Sequence, residues 1–182
     1  GACRARHDET LEVLRRLADS AQFSVCQPHP DFIRHPAFGE IGATFNLVVM
    51  NGTEAALLGN PSDDTREHAR CLQEKLGEGT EFVITNGPSR GWAWLRGSWW
   101  PFEPPPVKVS CEAGAGDAFT AEFLVQYRLR RQPVRTALAE AMRTAARWIS
   151  GQPLDNPSSN GYEFGRAGAV NGHSRSWTEM AL

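Results

Sequence analysis

Apolar side chains recur along this chain in two distinct periods. Leu11, Leu14, Leu17 and Ala18 share one face at helical spacing, with Glu12, Arg15 and Arg16 elsewhere, which predicts an amphipathic helix over about residues 7–20. Phe23-Ser24-Val25-Cys26 runs into Gln27-Pro28-His29-Pro30 and predicts a strand stopped by prolines. A short helix is expected over residues 36–42. Asn46-Leu47-Val48-Val49-Met50 is continuously apolar, the mark of a strand buried on both faces. Thr53 to Leu58 predicts a short helix ended by Gly59-Asn60-Pro61. Ser62 is the expected N-cap of a helix reaching about Leu76, with Asp63 and Asp64 in its first turn favouring the dipole.

Gly77 to Gly79 closes that helix, and Glu81 to Thr85 is the next buried strand. Trp92 to Leu95 and Val107 to Ser110 are further predicted strands, joined through Pro101 and Pro104-Pro105-Pro106. One helix is expected from about Gly116 to Arg130. Pro133 suits the first turn of another, reaching about Ser150 with Ala137, Leu138, Ala141, Ala145 and Trp148 as its apolar stripe. Strands alternating with helices predict an α/β fold, a mostly parallel sheet with helices on its faces. Residues 152–182 turn rich in Gly, Ser, Asn and Pro, and a loosely ordered tail is expected there.

The 182 residues allow one sizeable core and hardly two. Lysine and arginine number 19 against 21 aspartates and glutamates, a net charge of −2. That balance gives no basic footprint, so nucleic acid is not the expected partner. No apolar run nears the roughly 18–20 residues that span a bilayer, and no membrane association is expected. Gly1 to Arg6 lacks an apolar core, so a secretory signal is not expected. Cys3, Cys26, Cys71 and Cys111 are far apart without a C-x-x-C, which fits reduced thiols in a cytoplasmic protein. His7, His29, His35, His68 and His173 lack the pairing of a zinc helix.

The chemistry concentrates in Cys111-Glu112-Ala113-Gly114-Ala115-Gly116-Asp117-Ala118-Phe119, between a predicted strand and a predicted helix. Two glycines permit a tight turn, and a helix N-terminus offers free N–H donors to an anion. The segment therefore reads as a nest for a phosphate. Asp117 at its mouth can accept the proton of an attacking hydroxyl; its structural alternative is a helix N-cap. Gly114-x-Gly116 also begins a dinucleotide fingerprint, but Phe119 stands where the third glycine belongs, and the Gly-Lys-Ser/Thr of a Walker A loop is absent.

Gly114-Ala115-Gly116-Asp117-Ala118-Phe119 resembles the GAGDAF signature of the ribokinase-like (PfkB) carbohydrate kinases. Asn51-Gly52-Thr53-Glu54 is similar to the family's N-x-x-E motif, and Thr85-Asn86-Gly87 resembles its nucleotide-phosphate turn. Ala137 to Ser150 resembles the alanine-rich helix flanking the adenine. The resemblance covers about residues 10–151. It implies a ribokinase-like three-layer α/β/α sandwich and phosphoryl transfer from ATP to a hydroxyl of a sugar or nucleoside. Asp117 would be the general base, and the N–H groups of Ala115, Gly116 and Asp117 the anion hole, with Gly114 shaping the turn. Asn51 and Glu54 would hold Mg²⁺, and Thr85, Gly87 and Asn51 would contact the nucleotide phosphates. Each has a structural alternative: a first-turn acid for Glu54, a strand-ending turn residue for Asn51, strand-to-turn roles for Thr85 and Gly87.

The chain also departs from the pattern. Cys111-Glu112-Ala113 stands where the family has Asp-Thr-Thr or similar, and Glu112 adds negative charge near the phosphate site. Gln27-Pro28-His29-Pro30-Asp31 keeps the prolines but not the polar residues of D-P-N-x-R. Nothing corresponds to the family's N-terminal half and lid. The expected arrangement is a nucleotide-binding part over residues 1–151, with an exposed sheet edge that invites a second copy or a partner chain. A degenerate kinase-derived binding or structural module without catalysis is the alternative function, and a Rossmann-type oxidoreductase a weaker one. Trp92, Trp94, Trp99 and Trp100 read either as core and hairpin packing or as an aromatic platform. Arg128, Arg130 and Arg131 read as a solvated helix end.

Overall fold

A computed structural model describes residues 12–59 and 62–151. The expectations for residues 7–11, for Asn60 and Pro61, and for 152–182 lie outside it.

Helix α1 covers residues 12–20. After it come strand β1 (Val25–Cys26) and the short helices α2 (Pro30–Ile33) and α3 (Phe38–Gly42). Strand β2 (Leu47–Asn51), helix α4 (Gly52–Ala56), helix α5 (Thr65–Leu76) and strand β3 (Glu81–Asn86) follow. Strands β4 (Ser89–Leu95) and β5 (Ser98–Phe102) precede helix α6 (Ala115–Leu124), which passes through a π-helical turn (Val125–Leu129). Helix α7 is Val134–Ser150.

The strands form one sheet in the order β1-β2-β3-β4-β5. β1, β2 and β3 are parallel, with Val48 opposite Phe82 and Met50 opposite Ile84. β4 and β5 are antiparallel to their neighbours. The sheet is therefore mixed, because the two-residue turns at 87–88 and 96–97 are too short for a parallel crossover.

Alternation along β2 and β3 divides the interior in two. Val48, Met50, Phe82 and Ile84 face one core, shared with Ile33, Phe38, Ile41 and Leu72. Leu47, Val49 and Val83 face the other, shared with Phe119, Phe123, Ala137 and Ala141 of α6 and α7. Helices on both faces make the expected three-layer α/β arrangement. On the second face Phe102, Phe119, Phe123 and Tyr127 stack in series, with centroids 5.9, 6.0 and 5.0 Å apart. Trp92, Trp94 and Trp99 meet edge to face against the first core, with Phe82 beneath Trp99, so the tryptophans pack core and hairpin as the first of their two readings has it.

Several elements differ from expectation. Val107 to Ser110 is not a strand: Pro104-Pro105-Pro106 removes three consecutive donors just before it, and Val107 and Val109 are 39% and 49% exposed. The strand that does form, β5, follows a turn in which Arg96 and Gly97 both have positive φ, 52° and 68°. Arg96 is held there by its N–H to Glu81 Oε1 (2.8 Å) and by its guanidinium over the Tyr127 ring. The Tyr127 hydroxyl donates to the same Glu81 oxygen at 2.6 Å; burial and that carboxylate both push its pKa up. The N-cap of α5 is Asp64, which accepts the Arg66 N–H, while Ser62 Oγ accepts the Asp64 N–H. Leu17 is 59% exposed and does not join the core as its spacing suggested.

Leu72 lies fully buried where α5 meets the sheet. Leu72→Ala is expected to lower unfolding free energy by about 2–5 kcal/mol in urea denaturation. A loss well under about 1 kcal/mol would mean that this face is not packed as described.

Candidate active site

A cleft of about 380 Å³ opens where β2 and β3 end and α6 begins. Carboxyl ends of parallel strands are where open α/β sheets bind ligands. Asn51, Glu54, Thr85 and the Gly114–Asp117 segment all line it, although they are far apart in sequence. Gly87 does not; it is exposed in the β3–β4 turn at φ 52°.

Asn51 ends β2 and caps α4. Its Oδ1 accepts the Glu54 N–H at 2.8 Å, and Glu54 Oε2 accepts the Asn51 N–H at 2.8 Å. This reciprocal box satisfies two backbone donors and locks both side chains at the cleft wall. The structural alternatives for Asn51 and Glu54 are thus realised, and they place both residues in the cleft.

Gly114, not Asp117, is the N-cap of α6. Its φ of 81° is left-handed, and a Cβ there would lie 3.0 Å from Trp148 Nε1. Asp117 sits in the first turn, exposed, and its carboxylate has no hydrogen bond or ion pair to another described residue. The Ala115 N–H donates to Glu112 O at 3.2 Å, and the Ala118 N–H to Gly114 O at 2.9 Å. Among the described residues, the N–H groups of Gly116 and Asp117 reach no backbone carbonyl. These are the orphan donors of a helix start.

Glu112 also lines the cleft. With Glu54 and Asp117 it makes three carboxylates against no lysine or arginine among the described lining residues. No group of three or more His, Cys, Asp or Glu among the described residues is arranged to hold a metal by itself. Gln27 and His29, from the loop after β1, complete one wall and were not singled out as site residues in the sequence. Gln27 Nε2 donates to Thr120 Oγ1 (3.0 Å), whose hydroxyl donates to Gly116 O (2.8 Å), tying that loop to the start of α6. His29 caps α2 by accepting the Asp31 N–H. The signal for this wall in the sequence is the pair of prolines that Gln27-Pro28-His29-Pro30-Asp31 shares with the D-P-N-x-R stretch.

A glycine turn at a helix start and a capped acid thus meet in one cleft at the ends of parallel strands. Solved structures of ribokinase-family and adenosine kinases resemble this chain in fold. A sulfate complex of a pyrophosphate-dependent kinase of the ribokinase family matches at 17% identity and TM-score 0.64, over 79% of this chain and 52% of that one. Adenosine kinase from Schistosoma mansoni in complex with 2-fluoroadenosine matches at 21% identity and TM-score 0.64, over 82% and 48%. Ribokinase from Thermotoga maritima matches at 17% identity and TM-score 0.60, over 74% and 45%. This chain spans about half the length of these structures. No curated protein sequence matches it. The model of the pfkB family of carbohydrate kinases matches residues 2–158, and the chain belongs to that family.

Asn51→Ala removes the side-chain half of the capping box. It is expected to cost about 0.5–2 kcal/mol of stability without any ligand, read from urea unfolding. An unchanged midpoint would show that the box does not hold α4.

Proposed function

We propose that this chain carries the donor-phosphate site and general base of an ATP-dependent kinase that phosphorylates a hydroxyl of a sugar or nucleoside. The observation that carries the reading is the Asp117 carboxylate, free of side-chain partners among the described residues, beside the unpaired N–H groups of Gly116 and Asp117 in one cleft. Family membership supports it.

In this reading Asp117 takes the proton of the acceptor hydroxyl as that oxygen attacks the terminal phosphorus. The Gly116 and Asp117 N–H groups bind the phosphoryl oxygens as negative charge grows on them. Ala115 joins them by exchanging its bond to Glu112 O, and Gly114 holds the turn open. Thr85 meets the donor phosphates from the end of β3, and Gly87 shapes the hairpin turn that follows.

Glu54 suits a magnesium ion. One of its oxygens is engaged by the Asn51 N–H, which orients the carboxylate in the cleft. Mg²⁺ takes one or two carboxylates together with substrate phosphates and water, so no all-protein cage is required. The ion would neutralise phosphate charge in a cleft that offers no lysine or arginine among its described lining residues. Asn51 keeps Glu54 in place, and its amide faces the same phosphates.

Residues 1–151 form the nucleotide-binding part in this reading, with 152–182 as a tail. A second copy or a partner chain would pair along β1, one of the two edge strands of the sheet. No helix among the described residues is long and apolar enough to cross a membrane. Cys26, Cys71 and Cys111 are free thiols, which supports the cytoplasm; burial pushes the Cys26 thiol up to about 12.

A second reading, a kinase-derived module without catalysis, draws on one observation: Glu112 lines the cleft, where its charge would oppose a phosphate. Asp117→Asn separates the two. It is expected to lower turnover by about 10²–10⁴-fold while MgATP still raises the melting temperature. Turnover equal to wild type would remove Asp117 as the base. A wild type neither stabilised by MgATP nor active would favour the module.

A further inference from the structure

We infer that Trp148 is a positioning residue for the turn Gly114–Asp117, clamping it from the last turn of α7. The inference rests on the donor-site reading above.

Helical spacing assigns Trp148 to the apolar stripe of α7, yet it is 46% exposed. Its contacts run instead to the segment entering α6. The indole Nε1–H donates to Ala113 O at 2.7 Å. The ring occupies the space of a Gly114 side chain: an added Cβ would lie 3.0 Å from Nε1 and 3.2 Å from Cε2 and Cζ2. The neighbouring residues of the same turn grip the segment just upstream. Ile149 O accepts the N–H groups of Ser110 (2.6 Å) and Cys111 (3.2 Å), and Ser150 O accepts the Ser110 hydroxyl at 3.4 Å.

Two needs are met together. The last carbonyls of a helix lack intrahelical donors, and residues 110–111 have no strand to pair with. Each supplies the other. The indole then fixes the Ala113–Gly114 peptide, whose oxygen and N–H point in opposite directions across one plane. That plane sets the entry into α6, and with it the directions of the Gly116 and Asp117 N–H groups. Phosphoryl transfer is sensitive to such placement: about 1 Å of error can cost about 10²-fold.

The test compares wild type, Trp148→Phe and Trp148→Ala by amide hydrogen exchange and by MgATP titration. Trp148→Phe keeps a ring over Gly114 and loses only the donor. In Trp148→Ala, the hydrogen-bonded amides of Ser110, Cys111, Ala115 and Ala118 are expected to exchange about tenfold faster or more, with β3 and α5 unchanged and Trp148→Phe between the two. MgATP binding is expected to weaken in the same order, by about fivefold or more in Trp148→Ala. Unchanged exchange at Ser110, Cys111, Ala115 and Ala118, or acceleration spread equally over β3, overturns the clamp. Faster exchange with unaltered MgATP affinity overturns its positioning role. A wild type that binds no MgATP contradicts the donor-site reading, and the exchange comparison still decides the clamp.

Discussion

β2 and β3 bury apolar side chains on both of their faces, and the helices and the cleft take their places around that pair. Leu47, Val48, Val49 and Met50 are all buried, as are Phe82, Val83 and Ile84. A strand with apolar side chains on both sides needs a covering layer on each, so helices must pack above and below. In-register parallel pairing then brings Asn51 opposite Thr85 at the carboxyl ends. Past those ends side chains no longer alternate between two cores. The chain turns into α4 after β2 and into a hairpin after β3, and the cleft opens at those strand ends, walled by the loop after β1 and the start of α6.

The third wall of the cleft comes from far along the chain. Phe119 and Phe123 anchor α6 to the second face of the sheet through an aromatic stack. Because that stack fixes the helix, its N-terminus arrives at the strand ends with its first donors unpaired. The cleft thus combines a locally satisfied wall, the Asn51–Glu54 box, with an unsatisfied one at Gly116 and Asp117. Its carboxylates make it hostile to a bare polyanion. A magnesium-bound donor would meet a milder field, and this links the metal and the phosphate site in one account.

The parts of this fold readable from sequence are those where a single physical demand dominates. Leu47–Met50 reads as a doubly buried strand because no polar residue interrupts it. Gly114-Ala115-Gly116-Asp117 reads as a turn into a helix because only glycine takes φ 81° at low cost. Asn51 and Glu54 show an N-x-x-E spacing that serves a cap and a ligand equally. What escaped the sequence depends on tertiary partners. Val107 and Val109 alternate like a strand, but no sheet edge receives them. Arg96 carries no turn signal, and its positive φ is stabilised by Glu81 and Tyr127 from other elements. Trp148 looks like a core residue by spacing, and its partners Ala113 and Gly114 lie 35 and 34 positions away.

In the proposed reading, the unpaired amides at the start of α6 receive the phosphates of a donor. Amide chemical shifts followed during MgATP titration measure this directly. The largest, saturable changes are expected on Gly116 and Asp117, with smaller ones at Asn51 and Thr85 and none in the Trp92–Trp99 cluster. Saturable binding whose shifts fall elsewhere, leaving Gly116 and Asp117 unmoved, would contradict it.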